Sequence, residues 1–306
     1  MRFKTIVRLV RDTVTEWNED NVPLLAAALA YYTMFSLAPL LIIVIAIAGA
    51  VYGEEAARGE IVRQIQGLVG REGAEFIQSM IQNANKPGSG GGVATLIGVG
   101  FLIFGASGVF GQLQTALNTI WEVKPKPGRA VKSFVQARFL SFAMVLVIGF
   151  LLLVSLVLSA AFSGVSSYFG GFLPEAFQVG RFLNFAISFA LVTVLFASIY
   201  KFLPDVKVPW KNLWVGSAVT ALLFNIGKFL IGLYLGNSSV GSTYGAAGSL
   251  VVVLLWVFYS AQILLFGAEF TQVYSKYRGR PIEPSSHAVS VQEQTINPAA
   301  KRDREV

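Results

Sequence analysis

Residues Ser242–Phe270 read STYGAAGSLVVVLLWVFYSAQILLFGAEF, and this stretch decides the class of fold. It contains no charged side chain before Glu269, close to its end. A helix needs about 20 consecutive apolar residues to cross the hydrocarbon core of a bilayer. The stretch therefore predicts a transmembrane helix over Ala246–Phe270.

Apolar segments of similar length recur along the rest of the chain. The strict alternation of apolar and polar residues that is typical of membrane β-strands is not seen. We therefore predict an all-α integral membrane protein, with six transmembrane helices inside a domain of residues 21–280. The five further predicted spans are Leu24–Val51, Val93–Leu117, Phe139–Phe162, Phe182–Phe202 and Leu213–Leu235.

Composition supports the membrane interpretation. Charged residues make up 13% of the chain, against about 25% in soluble domains, and mean hydropathy is +0.62. The chain has no cysteine and one histidine, His287, in a polar stretch. Thiol chemistry and His/Cys metal centres are therefore excluded, and we expect no catalytic residue, cofactor or metal.

The distribution of basic residues predicts the orientation. Most Lys and Arg residues fall in the N-terminal segment, in the second and fourth predicted loops and in the C-terminal tail. Basic loops stay in the cytoplasm, so both termini are expected there. The net charge of +7 is better explained in so apolar a chain by anionic lipid than by nucleic acid, which we do not expect as a partner.

Three segments outside the predicted spans have patterns of their own. Residues 1–20 predict an amphipathic cytoplasmic helix, which either lies in the membrane interface or packs under the bundle. The outer loop, residues 52–92, predicts helix broken at Gly70 and Gly73. Residues 281–306 are polar and aperiodic, and predict a disordered cytoplasmic tail. The apolar stripe of the first segment comprises Phe3, Ile6, Val7, Val10, Val14 and Trp17.

Polar residues on one face of the fifth span give the clearest functional signal. Asn225 and Lys228 share a helical face by their spacing, and polar groups inside a bilayer are costly. Lys228 either lines a polar cavity that attracts an anionic headgroup or substrate, or extends its amine to the outer interface.

The sixth span carries Tyr259, Gln262 and Glu269 on one stripe. We expect Tyr259 and Gln262 to face the polar residues of the fifth span, because consecutive helices joined by a short loop are commonly neighbours. Glu269 lies too far along the helix to reach Lys228. It is expected to meet an inner-loop cation such as Lys201 or Arg138, or to be an ordinary carboxylate at a helix end.

Two further positions are secondary candidates, and a third predicts a helix bend. Asn118 and Glu122 lie on nearly one face at the end of the second span and suggest a cavity wall. Pro39, in SLAPLL, removes a backbone hydrogen bond and is expected to kink the first span.

Four separated motifs carry a family resemblance. They are AAALAYYTMFSLAPLL at Ala26–Leu41, LQTALNTIWEV at Leu113–Val123, YKFLPDVKVPW at Tyr200–Trp210 and the opening stretch. Together they resemble the YihY/virulence factor BrkB family, once labelled ribonuclease BN. The resemblance covers about residues 21–280 and implies a bacterial inner-membrane protein of six helices. Zinc-dependent nuclease chemistry needs a histidine cluster, so the lone histidine argues against the nuclease label.

Members of that family have been linked to serum resistance and to envelope lipid transport. The resemblance and the polar span residues together suggest a secondary transporter, exporter or flippase-like protein for an anionic or amphiphilic envelope compound, with membrane lipids as partners. The alternative is a non-transporting membrane scaffold of the cell envelope. No nucleophile–base pair or metal constellation supports a membrane enzyme.

Overall fold

The structure is a computed structural model that describes residues 3–84, 105, 108–126, 174–237, 247–280 and 282–291. Side chains of residues 174–184 lie outside this description. Seven helices occupy most of it. They are α1 Phe3–Glu19, α2 Val22–Tyr52, α3 Glu54–Ala84, α4 at 108–120, α5 Pro174–Phe202, α6 Trp210–Asn237 and α7 Gly248–Tyr277.

Four of these helices contain segments long and apolar enough to cross a membrane. They correspond to the first, fourth, fifth and sixth predicted spans. The second predicted span is described only from residue 105 onward and in part, and the third lies outside the described residues. The membrane-crossing segments are Val22–Ala50, Phe185–Phe202, Trp210–Ile231 and Gly248–Tyr277.

Two glycines divide the segment that follows α2. Gly53 has a φ of 86°, which ends α2 before α3 begins. Gly70 has a φ of 78° inside α3, and this left-handed backbone breaks the helix into two parts. Glycine adopts such angles readily because it has no Cβ. The predicted break at Gly70 is confirmed, whereas the backbone at Gly73 stays helical.

α7 is the central helix, since α1, α2, α3 and α6 all pack on it. Its neighbours bury one continuous apolar core. The indole Nε1 of Trp121, which follows α4, donates to the carbonyl of Ala268 at 3.4 Å. The stretch that predicted the fold is therefore also the helix that organises it.

A short C-terminal segment corrects the prediction of a tail disordered from residue 281. Residues 282–291, here called the C-terminal clasp, carry strands β3 Glu283–Pro284 and β4 Ala288–Ser290. β4 pairs antiparallel with β1, Val123–Pro125, and β3 pairs with β2, Val206–Lys207. Backbone hydrogen bonds to two loops, not an apolar face, hold the clasp in place. Its order therefore could not be predicted from the periodicity of apolar residues.

The clasp shows which connections share one end of the bundle. It joins the segment after α4 to the segment between α5 and α6. α1 packs along the C-terminal part of α7, where Leu9 contacts Val273 and Tyr274. The segments predicted to be cytoplasmic carry most of the basic residues. Their described parts therefore meet at one end of the bundle, which we call the basal end.

Candidate functional site

Small residues bring α6 and α7 into close contact. A Cβ added at Gly216 would collide with Thr271, and one at Gly267 would collide with Thr220 and lie 2.6 Å from the Tyr200 hydroxyl. Close backbone approach of this kind is typical of helix packing in membranes. The predicted neighbouring arrangement of these two helices is confirmed.

Tyr259 lies in this interface, directly against α6. A Cβ at Gly227 would lie 2.9 Å from the Tyr259 ring and 2.5 Å from Ile263. One turn further along α7, the buried amide oxygen Oε1 of Gln262 has no hydrogen-bond partner among the residues that the structure describes. A buried amide oxygen left without a donor is destabilising by about 1–3 kcal/mol. Gln262 is therefore one of the sixth-span residues with unmet bonding capacity among the described residues.

Asn225 and Lys228 lie on one flank of α6. This flank is buried by neighbouring residues near its start and is exposed further along the helix. Ala221, on the same flank, is fully buried. Asn225 is half-buried and donates to the Ala221 carbonyl at 2.8 Å. Lys228, two turns along from Ala221, is exposed, so α7 does not cover its amine.

Glu269 lies at the basal end, well away from Lys228. Its side chain is fully buried, and it faces the carboxyl group of Asp20, in the turn between α1 and α2. The expected contact with Lys201 is wrong. Lys201 Nζ donates to the Val208 carbonyl at 2.8 Å and lies over the Trp210 ring. The other cation considered, Arg138, lies outside the described residues.

Burial raises the pKa of Asp20 to about 6, from an ordinary value of 3.8. The neighbouring carboxyl group of Glu269 acts in the opposite direction, and the negative charges of Glu16 and Glu122 add to the rise. Asp20 therefore changes its protonation close to neutral pH.

Asn118 belongs to a polar cluster around Asp205. Its amide Nδ2 donates to Asp205 Oδ2 at 2.9 Å, and its Oδ1 accepts the Asp205 backbone N–H at 2.9 Å. Gln114 Nε2 donates to Asp205 Oδ1 at 3.2 Å, and His287 Nε2 lies 2.9 Å from the same oxygen. Asn118 therefore binds the loop between α5 and α6. Its contacts do not support the prediction that it lines a cavity wall.

Glu122 ends α4 in a left-handed conformation, with a φ of 54°. Its Oε1 accepts bonds from Gln272 Nε2 and Lys276 Nζ, both at 3.3 Å. Its carbonyl accepts the N–H of Val291, in the C-terminal clasp. Glu122 therefore joins α4, α7 and the clasp, and it lies beside the carboxyl pair of Asp20 and Glu269.

Pro39 lies inside α2, which continues through it. A Cβ at Gly105 would lie 3.0 Å from the proline ring. One turn earlier, the Ser36 hydroxyl donates to the Gly105 carbonyl at 2.6 Å and accepts the Val109 N–H at 3.2 Å. Gly105 and the start of α4 therefore pack against α2 at this level, and the predicted bend at Pro39 stays a prediction.

The candidate residues thus fall into two groups. The first, Asn225, Lys228, Tyr259 and Gln262, lies along the α6–α7 pair and offers amide groups and one cation. The second, around Glu269 at the basal end, is acidic. Within the described ranges, no three His, Cys, Asp or Glu side chains converge to hold a metal ion.

Asp205, Asp20 and His287 are among the residues of these clusters that were not predicted from the sequence as site residues. Asp205 lies within YKFLPDVKVPW, where an acid follows a long apolar helix, and this was the available signal. Asp20 and His287 lie in polar stretches at either end of the chain. Nothing local distinguishes them, because their partners are remote in sequence.

Comparison with known proteins agrees with this architecture. A UPF0761 membrane protein of Psychrobacter sp. (strain PRwf-1) is 26% identical over 290 residues, covering 94% of this chain and 52% of the relative. One from Alcanivorax borkumensis is 26% identical, covering 94% and 65%. One from Aeromonas salmonicida is 26% identical, covering 86% and 87%. The chain thus spans about half to two thirds of the first two relatives, and no solved structure matches it.

A family model described as virulence factor BrkB matches residues 13–291. The match begins within α1 and ends at Val291, so it includes the C-terminal clasp as well as the described helices. It also includes all four motifs on which the resemblance rested. The chain belongs to the virulence factor BrkB family.

Proposed function

We propose that the protein is a bacterial inner-membrane secondary transporter, exporter or flippase-like protein for an anionic or amphiphilic envelope compound. It has six spans, with the basal end and both termini in the cytoplasm. The gathering of basic loops at that end supports this orientation, because Lys and Arg are retained on the cytoplasmic side.

The exposure of Lys228 carries the transport proposal. Within the described part of the chain, Lys228 forms no ion pair, although it lies in a membrane-crossing segment. A lysine at the centre of a transmembrane helix costs about 2.5–3.5 kcal/mol on insertion scales. An anionic headgroup or substrate at the open flank would offset that cost by supplying the missing counter-charge.

The surroundings of Lys228 fit an amphiphile better than a small polar solute. Ile226 and Phe229, on either side of it, are 49% and 65% exposed. An acyl chain can lie along these apolar side chains while the headgroup meets the ammonium group. The amide of Asn225, three positions before Lys228 on the same flank, adds a polar group nearby.

We also place α1 in the inner interface of the membrane. Its buried face, with Leu9 and Thr13, packs on α7, while Phe3, Val7 and Val10 remain exposed. An exposed apolar stripe bordered by Lys and Arg is typical of an interfacial helix. The two alternatives from the sequence therefore combine, since one face packs on the bundle and another meets lipid.

The test is flux through purified protein in liposomes. Fluorescent phosphatidylglycerol, which is anionic, and fluorescent phosphatidylcholine, which is zwitterionic, are followed in parallel with wild type, Lys228→Met and Lys211→Met. Lys211 is an exposed lysine in the first turn of the same helix and serves as the matched control. We expect wild type and Lys211→Met to move the anionic lipid, and Lys228→Met to move it several-fold more slowly.

Solvent access to the flank is measured independently. The chain has no cysteine, so an Asn225→Cys variant carries a single thiol. Reaction of this thiol with a water-soluble maleimide, and its protection by anionic amphiphile, would support a cavity. An unreactive thiol together with full flux by Lys228→Met would refute the site. Absence of flux for every lipid tested would favour the scaffold alternative.

A further inference from the structure

The carboxyl group of Glu269 is buried without a compensating donor. The side chain is fully buried on α7, and neither of its oxygens accepts a hydrogen bond from any residue that the structure describes. The amide oxygen of Gln272, one turn along the same face, is also buried and without a donor there. An ionised carboxylate in such a position is strongly disfavoured, so the group requires a proton or another positive charge.

The charged groups around Glu269 do not supply that charge. Asp20 faces it from the α1–α2 turn, and Glu16 acts on it from α1. Lys276 is the cation that acts on this group from α7, and its Nζ lies 3.5 Å from Glu16 and 3.3 Å from Glu122. Among the residues that the structure describes, Lys276 is therefore the cation nearest to Glu269 and Asp20, and it is already engaged with two other carboxylates.

We infer that Glu269 and Asp20 form a proton-binding site, in which one proton is shared between their two carboxyl groups. With a proton on either group, its O–H donates to the carboxylate of the other and satisfies an oxygen that is otherwise unpaired. Two carboxyl groups in contact cannot both ionise readily, because their charges repel. This site is separate from the proposed transport, since it exists in the resting protein with no substrate bound.

Asp20 is only partly buried at the basal end, so the pair can exchange protons with water there. A cleft of about 590 Å³ opens between α1 and α7, and its lining includes Glu16, Glu19 and Lys276. Glu16 thus lines the cleft and also acts on Asp20, which is itself only partly buried. A proton taken up at Asp20 can pass to Glu269, which faces it.

The experiment is infrared spectroscopy of the purified full chain in lipid nanodiscs across a pH titration. Wild type is expected to show the C=O stretching band of a protonated carboxyl group at neutral pH, which shifts in D₂O and disappears at high pH. Glu269→Gln is expected to lose this band. Asp20→Asn is expected to retain it with the titration midpoint displaced by about one pH unit or more to lower pH, because a neighbouring negative charge has been removed.

Glu75→Gln is the matched control, since Glu75 is an exposed acid of α3 paired with Arg71 at 3.0 Å. It should leave the band and its midpoint unchanged. If Glu269→Gln does not fold, the displaced midpoint of Asp20→Asn alone decides the question. A wild-type spectrum with no such band at neutral pH would overturn the proton site. So would a band that survives Glu269→Gln, or one that Na⁺ or Ca²⁺ removes at constant pH.

Discussion

His287 Nε2 lies 2.9 Å from Asp205 Oδ1, although the two residues are separated by 82 positions in the chain. The contact fastens the C-terminal clasp to the loop between α5 and α6. Ser285 N–H donates to the Asp205 carbonyl at 2.9 Å, and Lys126 Nζ donates to the Ser286 carbonyl at 2.8 Å. A segment without apolar periodicity is therefore held at both loops that it crosses.

Truncation after Arg280 should destabilise the protein. It removes β3, β4 and His287, and it leaves the largely buried Asp205 carboxylate with fewer donors, a loss of about 1–3 kcal/mol. Thermal unfolding in detergent, followed by size-exclusion chromatography, measures the change. Truncation after Val291 is the control and should match the full chain. Equal stability of both truncations would show that the clasp contributes nothing.

Gly267→Ala should destabilise the α6–α7 pair. The added methyl group would meet Thr220 and the Tyr200 hydroxyl, which itself donates to the Leu264 carbonyl at 2.6 Å. Overpacking of this kind costs about 1–3 kcal/mol. Gly111→Ala, where the new Cβ meets nothing within 4 Å, should instead be neutral or stabilising by about 0.4–1 kcal/mol. Unfolding midpoints of the two variants that shift in the same direction would contradict the packing argument.

Single cysteines should report opposite sides of the membrane. Glu55→Cys, at the start of α3, is expected to react with a membrane-impermeant maleimide in intact cells. Lys207→Cys, in β2 at the basal end, should react only after the membrane is made permeable. Both native side chains are exposed, so burial does not complicate the comparison. Labelling of Lys207→Cys in intact cells would reverse the proposed orientation.

Asp20→Asn should change how stability depends on pH. The pKa of Asp20 is about 6 in the folded chain and 3.8 as an ordinary value. The folded state therefore binds more protons between these values, and wild-type stability falls as pH rises through this window and then levels off. The variant lacks this decline, so its advantage over wild type should grow from pH 4 to about pH 6. Asp12→Asn, on α1, is the control, and an equal pH profile for Asp20→Asn and wild type would refute the assignment.

The spans could be predicted from the sequence because their signal is local. The apolar length of Ala246–Phe270 is visible in that stretch alone, and the backbone freedom of Gly70 is a property of glycine itself. Neither prediction required knowledge of distant contacts. The neighbouring position of α6 and α7 followed from the short connection between them. These features depend on a single stretch of chain or on two consecutive stretches.

The predictions that failed depended on distant contacts. Lys201 was expected to meet Glu269 because opposite charges attract, yet a carbonyl seven positions away and a tryptophan ring hold it. The partner of Glu269 is instead Asp20, a like-charged group brought near by the packing of α1 on α7. Sequence patterns do not predict a contact between two acids. Such a contact depends on protonation, about which residue spacing carries no information. The clasp was missed because its order depends on Asp205 and Lys126.

The position of the clasp has a consequence for biosynthesis. The Lys126–Ser286 bond spans 160 positions, so the loop after α4 leaves the ribosome long before its partner is made. Until residues 282–291 emerge, both basal loops have polar groups whose partners do not yet exist. The basal end can therefore close only after residues 282–291 have been made. A nascent chain stalled after α7 would present open loops to proteases at the membrane surface, because the segment that bonds to these loops has not yet been made.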